Sequence, residues 1–156
     1  MTLDDFFSVG TTITLGSHRF EPDEIKAFAR KYDPQPFHVD EALAERSVFG
    51  RLCASGWHTC AMWMRHNLEH RQDTASVEWD GPGPRPEFGP SPGFQNLRWL
   101  KPVYAGDTVT FTRRATGHRA LASRPGWRLL TIVGEAFNQS GDKVLEMENA
   151  VLVKVE

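Results

Sequence analysis

Apolar residues fall at helical spacing in two stretches of this chain and at alternating positions over its last third. Ile25, Phe28, Ala29 and Tyr32 recur at i, i+3, i+4 and i+7, which predicts one face of a helix. Pro22 suits its first turn, and Asp23 and Glu24 suit the positive end of its dipole. The helix stops at Asp33, because Pro34 disfavours helical geometry in the residue before it. A second run, from Trp57 to about His70, carries Trp57, Cys60, Ala61, Met64 and Leu68 at the same spacing. Met62 and Trp63 broaden that surface, so this helix is predicted to be apolar over most of its circumference and wrapped by other elements. Between the two, Asp33-Pro34-Gln35-Pro36-Phe37-His38 reads as a stiff segment, since each proline fixes a φ angle. A short helix is expected over 40–46, capped by Asp40, with Gly50 ending that stretch.

The β pattern lies elsewhere. Residues 9–20 alternate loosely and predict a short strand with turns at Gly10 and Gly16. Four further strands are predicted at 94–103, 107–117, 127–138 and 143–155, separated by turn clusters such as Tyr104-Ala105-Gly106-Asp107. In the last of them Leu145, Met147, Val151, Val153 and Val155 share one parity, and Glu146, Glu148 and Lys154 the other. The strand from Trp127 to Phe137 is apolar on both parities, as a central strand would be. Residues 71–93 are read as a loop: Asp80 to Gly93 holds five prolines and four glycines, and Trp79 and Phe88 would pin it down or line a pocket. The order of strand, helices, loop and consecutive strands is an α+β arrangement, with a helix packed on one antiparallel sheet.

Composition narrows the function classes. At 156 residues the chain matches one domain able to bury its own core. Eighteen basic residues against 20 acidic ones leave a formal net charge of −2, with no footprint for nucleic acid or a membrane surface. No apolar run is long enough to span a bilayer, and the start of the chain has acids where a signal peptide needs bases. Cys53 and Cys60 are too few for a disulfide framework, which points to a reduced, cytoplasmic protein.

Two constellations carry candidate chemistry. Asp33 and His38 sit five residues apart on a proline-stiffened chain that can aim both side chains into one cavity. An imidazole titrates near neutral pH, and a carboxylate can orient it or share a bound water with it. The structural alternative is a turn aspartate and a histidine preceding a helix. Ser55-Gly56 opens the long helix, where glycine lets a ligand approach free N–H groups at the positive dipole end. The alternative there is plain capping by Ser55. His66-Asn67-Leu68-Glu69-His70 matches the His-x-x-Glu-His pattern of inverted zinc peptidases, but its simpler reading is a solvated last turn in which His66, Glu69, His70 and Arg71 face water, with no metal. Both cysteines read as buried apolar residues rather than nucleophiles.

Taken in order, these residues resemble the MaoC-like dehydratase family, which includes the R-specific enoyl-CoA hydratases. The resemblance rests on a helix ending in Asp33, the run Pro34-Gln35-Pro36-Phe37-His38-Val39-Asp40, the pairs Phe49-Gly50 and Ser55-Gly56, and the turn Pro102-Val103-Tyr104-Ala105-Gly106-Asp107. It extends from about residue 9 to the C-terminus, leaving 71–93 unmatched. It implies a hot-dog fold, a curved antiparallel sheet wrapped around a long central helix. It implies a homodimer, or a dimer of dimers, with active sites near the subunit interface. It also implies an acyl-CoA thioester substrate, with coenzyme A entering as part of that substrate and no separate cofactor. Asp33 and His38 match the catalytic pair and would activate one water for addition to a trans-2-enoyl thioester, or serve the reverse dehydration. Gly56 matches the residue whose backbone N–H polarises the thioester carbonyl. Ser55, Trp57 and Phe37 are expected to contact substrate. Gln35 stands where the family often has Asn. Arg51, Arg98 and Lys101 are basic residues near the expected cleft that could meet the coenzyme A phosphates or form solvated surface. The other function classes open at this point are a silent hot-dog domain that binds acyl thioesters and a thioesterase with Glu69 as its acid.

Overall fold

The computed structural model describes residues 1–73 and 77–156. Helix α1 (Leu3–Phe7) leads into strand β1 (Thr12–Arg19), followed by α2 (Pro22–Tyr32), α3 (Pro36–Val39), α4 (Glu41–Glu45) and the long α5 (Gly56–Asp73). Strands β2 (Glu87–Phe88), β3 (Gly93–Trp99), β4 (Thr108–Ala120), β5 (Trp127–Phe137) and β6 (Lys143–Lys154) complete the chain. The strands form one antiparallel sheet in the order β1-β4-β5-β6, and β6 carries β2 and β3 one after the other on its outer edge. Helix α5 lies against the concave side, the hot-dog arrangement expected above. None of the described helices is long and apolar enough to cross a membrane.

The core sits between α5 and the sheet. Trp63 is fully buried there, its indole N–H donates to the Thr112 carbonyl (2.9 Å), and Gly134 on β5 makes room for its ring. A Cβ at Gly134 would come within 2.7 Å of that ring. Phe20, Ile25, Val109, Phe111, Ala136, Leu145 and Met147 fill the same core. A second cluster joins Phe7 of α1 to Ala115, Leu130, Ile132 and Val153.

Several expectations need correction. Helix α1 was not expected; the Thr2 and Asp5 side chains each cap the other's backbone N–H and so start a single helical stretch over apolar residues. The stiff segment at 33–38 contains a helical turn, α3, since Pro36 has the φ of a first helical position. The loop expected at 71–93 is shorter, because α5 continues to Asp73 and Glu87–Phe88 pairs with β6; its residues 74–76 lie outside the described part. Trp79 and Phe88 pin this stretch as expected, against Phe6 of α1 (ring centroids 5.5 and 6.4 Å). Strand β3 ends at Trp99, not at 103. The largest correction concerns α5, which is not wrapped all round. Trp57, Ala61, Met64 and Leu68 face outward, whereas His58, Thr59, Met62, Trp63 and Asn67 face the sheet and α2.

Candidate active site

Asp33 is the C-terminal cap of α2; its own N–H bonds back to Ala29, and Pro34 prevents the helix from continuing. The two residues that follow turn the chain into α3, which carries Phe37 and His38. His38 is 6% exposed and Asp33 presents its carboxylate to the same space. The Nε2 of His38 lies 3.4 Å from Oδ2 of Asp33. The other ring nitrogen settles the tautomer: Nδ1 is 2.6 Å from the Cys53 carbonyl oxygen, which can only accept, so Nδ1 carries the proton. In the neutral ring Nε2 then holds a lone pair beside the carboxylate. Two acceptors facing each other across 3.4 Å suit a water molecule that donates one hydrogen to each.

The carboxylate is held from both sides. Ser55 Oγ donates to Oδ2 (2.7 Å) and Gln35 Nε2 donates to Oδ1 (2.7 Å). Gln35, where Asn was the more usual residue, therefore still supplies a donor to the acid. Ser55 is fully buried and also accepts from the Trp57 N–H (3.3 Å). It supports Asp33 and the start of α5; it does not line the cleft as a substrate contact.

The segment before α5 is tied down by the other motifs. Ala54 N–H donates to the Val103 carbonyl (2.7 Å), Ala105 N–H to the Leu52 carbonyl (3.0 Å), and Cys53 N–H to the Phe37 carbonyl (3.2 Å). The turn at 102–107 is itself fixed by Asp107, which accepts from Tyr104 N–H (2.8 Å) and Gln139 Nε2 (2.9 Å), with Gly106 at φ +88°. The Tyr104 hydroxyl donates to the Phe49 carbonyl (2.9 Å). Three motifs far apart in sequence thus converge on one short stretch of backbone.

These elements enclose a cleft of about 550 Å³. Asp33, His38, Phe37, Gly56, Trp57 and Trp99 all border it. Gly56 is the first residue of α5, where backbone N–H groups have no intrahelical acceptor and the dipole is positive. The Trp99 indole lies over its Cα, so that any Cβ at this position would collide with the ring. Trp57 meets Trp99 edge-on (5.0 Å), and Phe37 packs edge-on against both His38 (4.6 Å) and Phe49 (4.9 Å). Burial pushes the Cys53 and Cys60 thiols up to about 11, so neither is a thiolate near neutral pH.

The remaining candidates separate. Lys101 borders the cleft and pairs with Asp142 (3.0 Å), Arg98 lies 3.9 Å from Glu146, and Arg51 stacks over the Tyr104 ring (3.9 Å). Glu69 pairs with Arg65 (2.9 Å) on the exposed side of α5, outside the cleft. His66 does not face water as expected: Nδ1 donates to the Met62 carbonyl (2.9 Å) and the ring packs on Phe111 and Gly16. His66, Asn67 and Glu69 of the zinc-like pattern thus turn to separate partners, and no three metal-binding side chains converge among the described residues. Sequence reasoning missed Gln35 as a donor to the acid, Trp99 as the cover over Gly56, and a half-buried Glu24–His58 contact behind the site (3.0 Å). Only Glu24, on the third position of α2, carried a trace of it, as a first-turn acid.

Comparison with known proteins gives a consistent outcome. The family described as MaoC like domain matches residues 7–126. A MaoC-like dehydratase from Rhodospirillum rubrum is 33% identical; the superposition covers 100% of this chain and 98% of that one, with a TM-score of 0.79. An (R)-hydratase from A. caviae involved in PHA biosynthesis is 27% identical, with 95% and 96% of the two chains covered and a TM-score of 0.66. The uncharacterized protein YdeM of Bacillus subtilis (strain 168) is 28% identical over 158 residues, 99% of each chain.

Proposed function

Because this chain belongs to the MaoC-like domain family of hot-dog hydratases and dehydratases, we propose that it adds water to an enoyl-CoA thioester, or removes it from the 3-hydroxyacyl-CoA, with Asp33 and His38 as the acid/base pair. The observation that carries this reading is the 3.4 Å approach of Asp33 Oδ2 to a His38 Nε2 whose tautomer leaves it an acceptor.

In the hydration direction a water held between those two atoms loses a proton to His38 Nε2 as its oxygen bonds to C3 of the enoyl group. The C2=C3 electron pair moves toward the carbonyl, whose oxygen takes up charge beside the Gly56 N–H. The proton then returns from the pair to C2, so that water is added across the double bond and the enzyme is restored. Dehydration is the same path reversed. A backbone donor aimed at developing charge is worth about 3–4 kcal/mol of barrier in other enzymes. The acyl group lies against Phe37, Trp57 and Trp99, and coenzyme A enters as part of the substrate.

The reading extends to the assembly. The outward face of α5 and strand β3 present Trp57, Met64, Leu68, Phe94 and Trp99 to solvent, and β3 offers its outer edge to no other described strand. Apolar exposure on that scale beside an open sheet edge supports a homodimer formed across this face.

The test is the loss of crotonyl-CoA absorbance with purified wild type, His38→Ala and Asp33→Asn. Each substitution is expected to lower the rate by about 10²–10⁴-fold, the usual contribution of a positioned acid or base. Rates equal to wild type in both would sink the mechanism.

A further inference from the structure

At the other end of α5 lies a separate cavity of about 490 Å³. Leu68 on its wall is twelve residues beyond Gly56, about 18 Å along the helix at 1.5 Å per residue. A smaller cavity of about 210 Å³ adjoins it and shares Leu68, Arg71, Phe88 and Arg113. The walls are largely apolar, from Phe6, Ile13, Leu68 and Phe88. The same wall carries Arg71, Arg85 and Arg113, with His70 and Asp5. Arg113, on β4, donates to Oδ1 of Asn67 (2.9 Å), a neutral partner, and no carboxylate pairs with it among the described residues. Arg71 lies over the Phe88 ring (3.9 Å). Burial first, and the Arg71 charge second, weaken the hold of Arg113 on its proton. Asp5, the acid on the wall, is engaged by the Thr2 N–H (2.8 Å) and hydroxyl (2.7 Å). In the smaller cavity the buried Nδ2 of Asn149 has no acceptor among the described residues.

A guanidinium partly withdrawn from water, with another beside it and a neutral amide as its hydrogen-bond partner, is an unfavourable arrangement that a bound anion relieves. A cavity that joins apolar walls to charged side chains is also what a small-molecule site looks like. We propose that this cavity binds an amphiphilic carboxylate, its alkyl chain against Phe6, Ile13, Leu68 and Phe88 and its head on Arg113. Such a group has two sources: a free fatty acid, or the acidic terminus of an acyl chain reaching along α5 from the catalytic cleft. Cavities with shared wall residues lie between the two sites. A third cavity, of about 140 Å³, shares Trp57 with the cleft, and Trp63 and Met64 with the smaller cavity.

The test is calorimetric titration of the full chain with sodium octanoate, 1-octanol and sodium sulfate. Octanoate is expected to bind at least tenfold tighter than the alcohol, which lacks the charge, and than sulfate, which lacks the chain. Arg113→Gln is expected to weaken octanoate at least tenfold, while His38→Ala leaves it unchanged. In wild-type protein the Arg113 Nε–H resonance is expected to shift with octanoate, which covers the case of a misfolded variant. No octanoate binding, equal binding of octanol, an unmoved Arg113 resonance, or loss of binding in His38→Ala would each overturn the proposal. The mono-CoA thioester of hexadecanedioic acid, which carries a terminal carboxylate on a chain long enough to run the length of the helix between the two sites, then separates the sources: displacement of octanoate from Arg113 assigns the pocket to the thioester's own chain, and retention assigns it to a separate molecule. None of these readouts needs turnover, so an inactive enzyme leaves the proposal standing.

Discussion

At residue 55 a single hydroxyl serves two elements, donating to the Asp33 carboxylate and accepting from the first turn of α5. Ser55→Ala removes both bonds in a fully buried place. It is expected to lower stability by about 1 kcal/mol, the usual cost of a lost cap, and to slow crotonyl-CoA hydration by about tenfold, since a charge-assisted hydrogen bond is worth about 1.5–3 kcal/mol. Urea denaturation and the same absorbance assay check the two parts separately. Behind the site, His58 is 3% exposed, stacked on Phe28 and bonded through Nε2 to Glu24, while its Nδ1 has no partner among the described residues. Burial lowers its pKa below the ordinary 6.5, against the opposing pull of Glu24. The unfolded chain therefore binds more protons than the folded one between that lowered value and 6.5, and stability falls as the pH drops through the window. Replacing the ring by His58→Leu is expected to flatten this loss, read as the change in urea midpoint between pH 7.5 and 5.5; an unchanged slope would count against it. The proposed acid/base pair and Gly56 were legible because their placement is local: a helix stop, two prolines and a small-residue helix start position Asp33, His38 and Gly56 from nearby sequence. Trp99 and Glu24 were not, because their partners lie far away in sequence and no spacing records them; Gln35 sits two residues from Asp33, but the sequence does not say that its amide turns back to the carboxylate.

Among the elements, α5 decides the packing of the sheet. Trp63 fills the space above Gly134 and bonds to the β4 backbone, so Trp63→Ala leaves a large cavity and removes the indole bond to the Thr112 carbonyl. A loss of about 3–5 kcal/mol is expected by urea denaturation. A cost below about 1 kcal/mol would mean that the core collapses around the gap. This helix is also where pattern reading failed. Trp57, Met64 and Leu68 were assigned inward because they are apolar, yet the inward stripe includes His58, Thr59 and Asn67. Each of those polar side chains has a task against a neighbouring element: Asn67 meets Arg113, His58 meets Glu24, and Thr59 borders the cleft. The long strands were legible, because alternation in β6 needs only the sheet's inside and outside. The five-residue α1 was missed, although Thr2 and Asp5 hold the spacing of a capping box.

For the whole molecule, the outward face of α5 and the free edge of β3 are the surface to account for. If two copies meet there, Phe94→Asp puts two charges into the interface and removes two rings. Phe94 is 53% exposed in the single chain, so the substitution has little reason to unfold it. Light scattering is expected to find a dimer for wild type and a monomer for the variant at micromolar concentration. A monomeric wild type would leave the exposed apolar face unexplained and remove the assembly. The same surface ends at Trp99, whose indole rests on the glycine that opens the central helix. That contact gives the cleft a built-in reporter: a molecule settling against the Gly56 amide changes the surroundings of an adjacent indole, one of five in the chain, and the emission change that Trp99→Phe abolishes follows occupancy without dye, label or coupled assay.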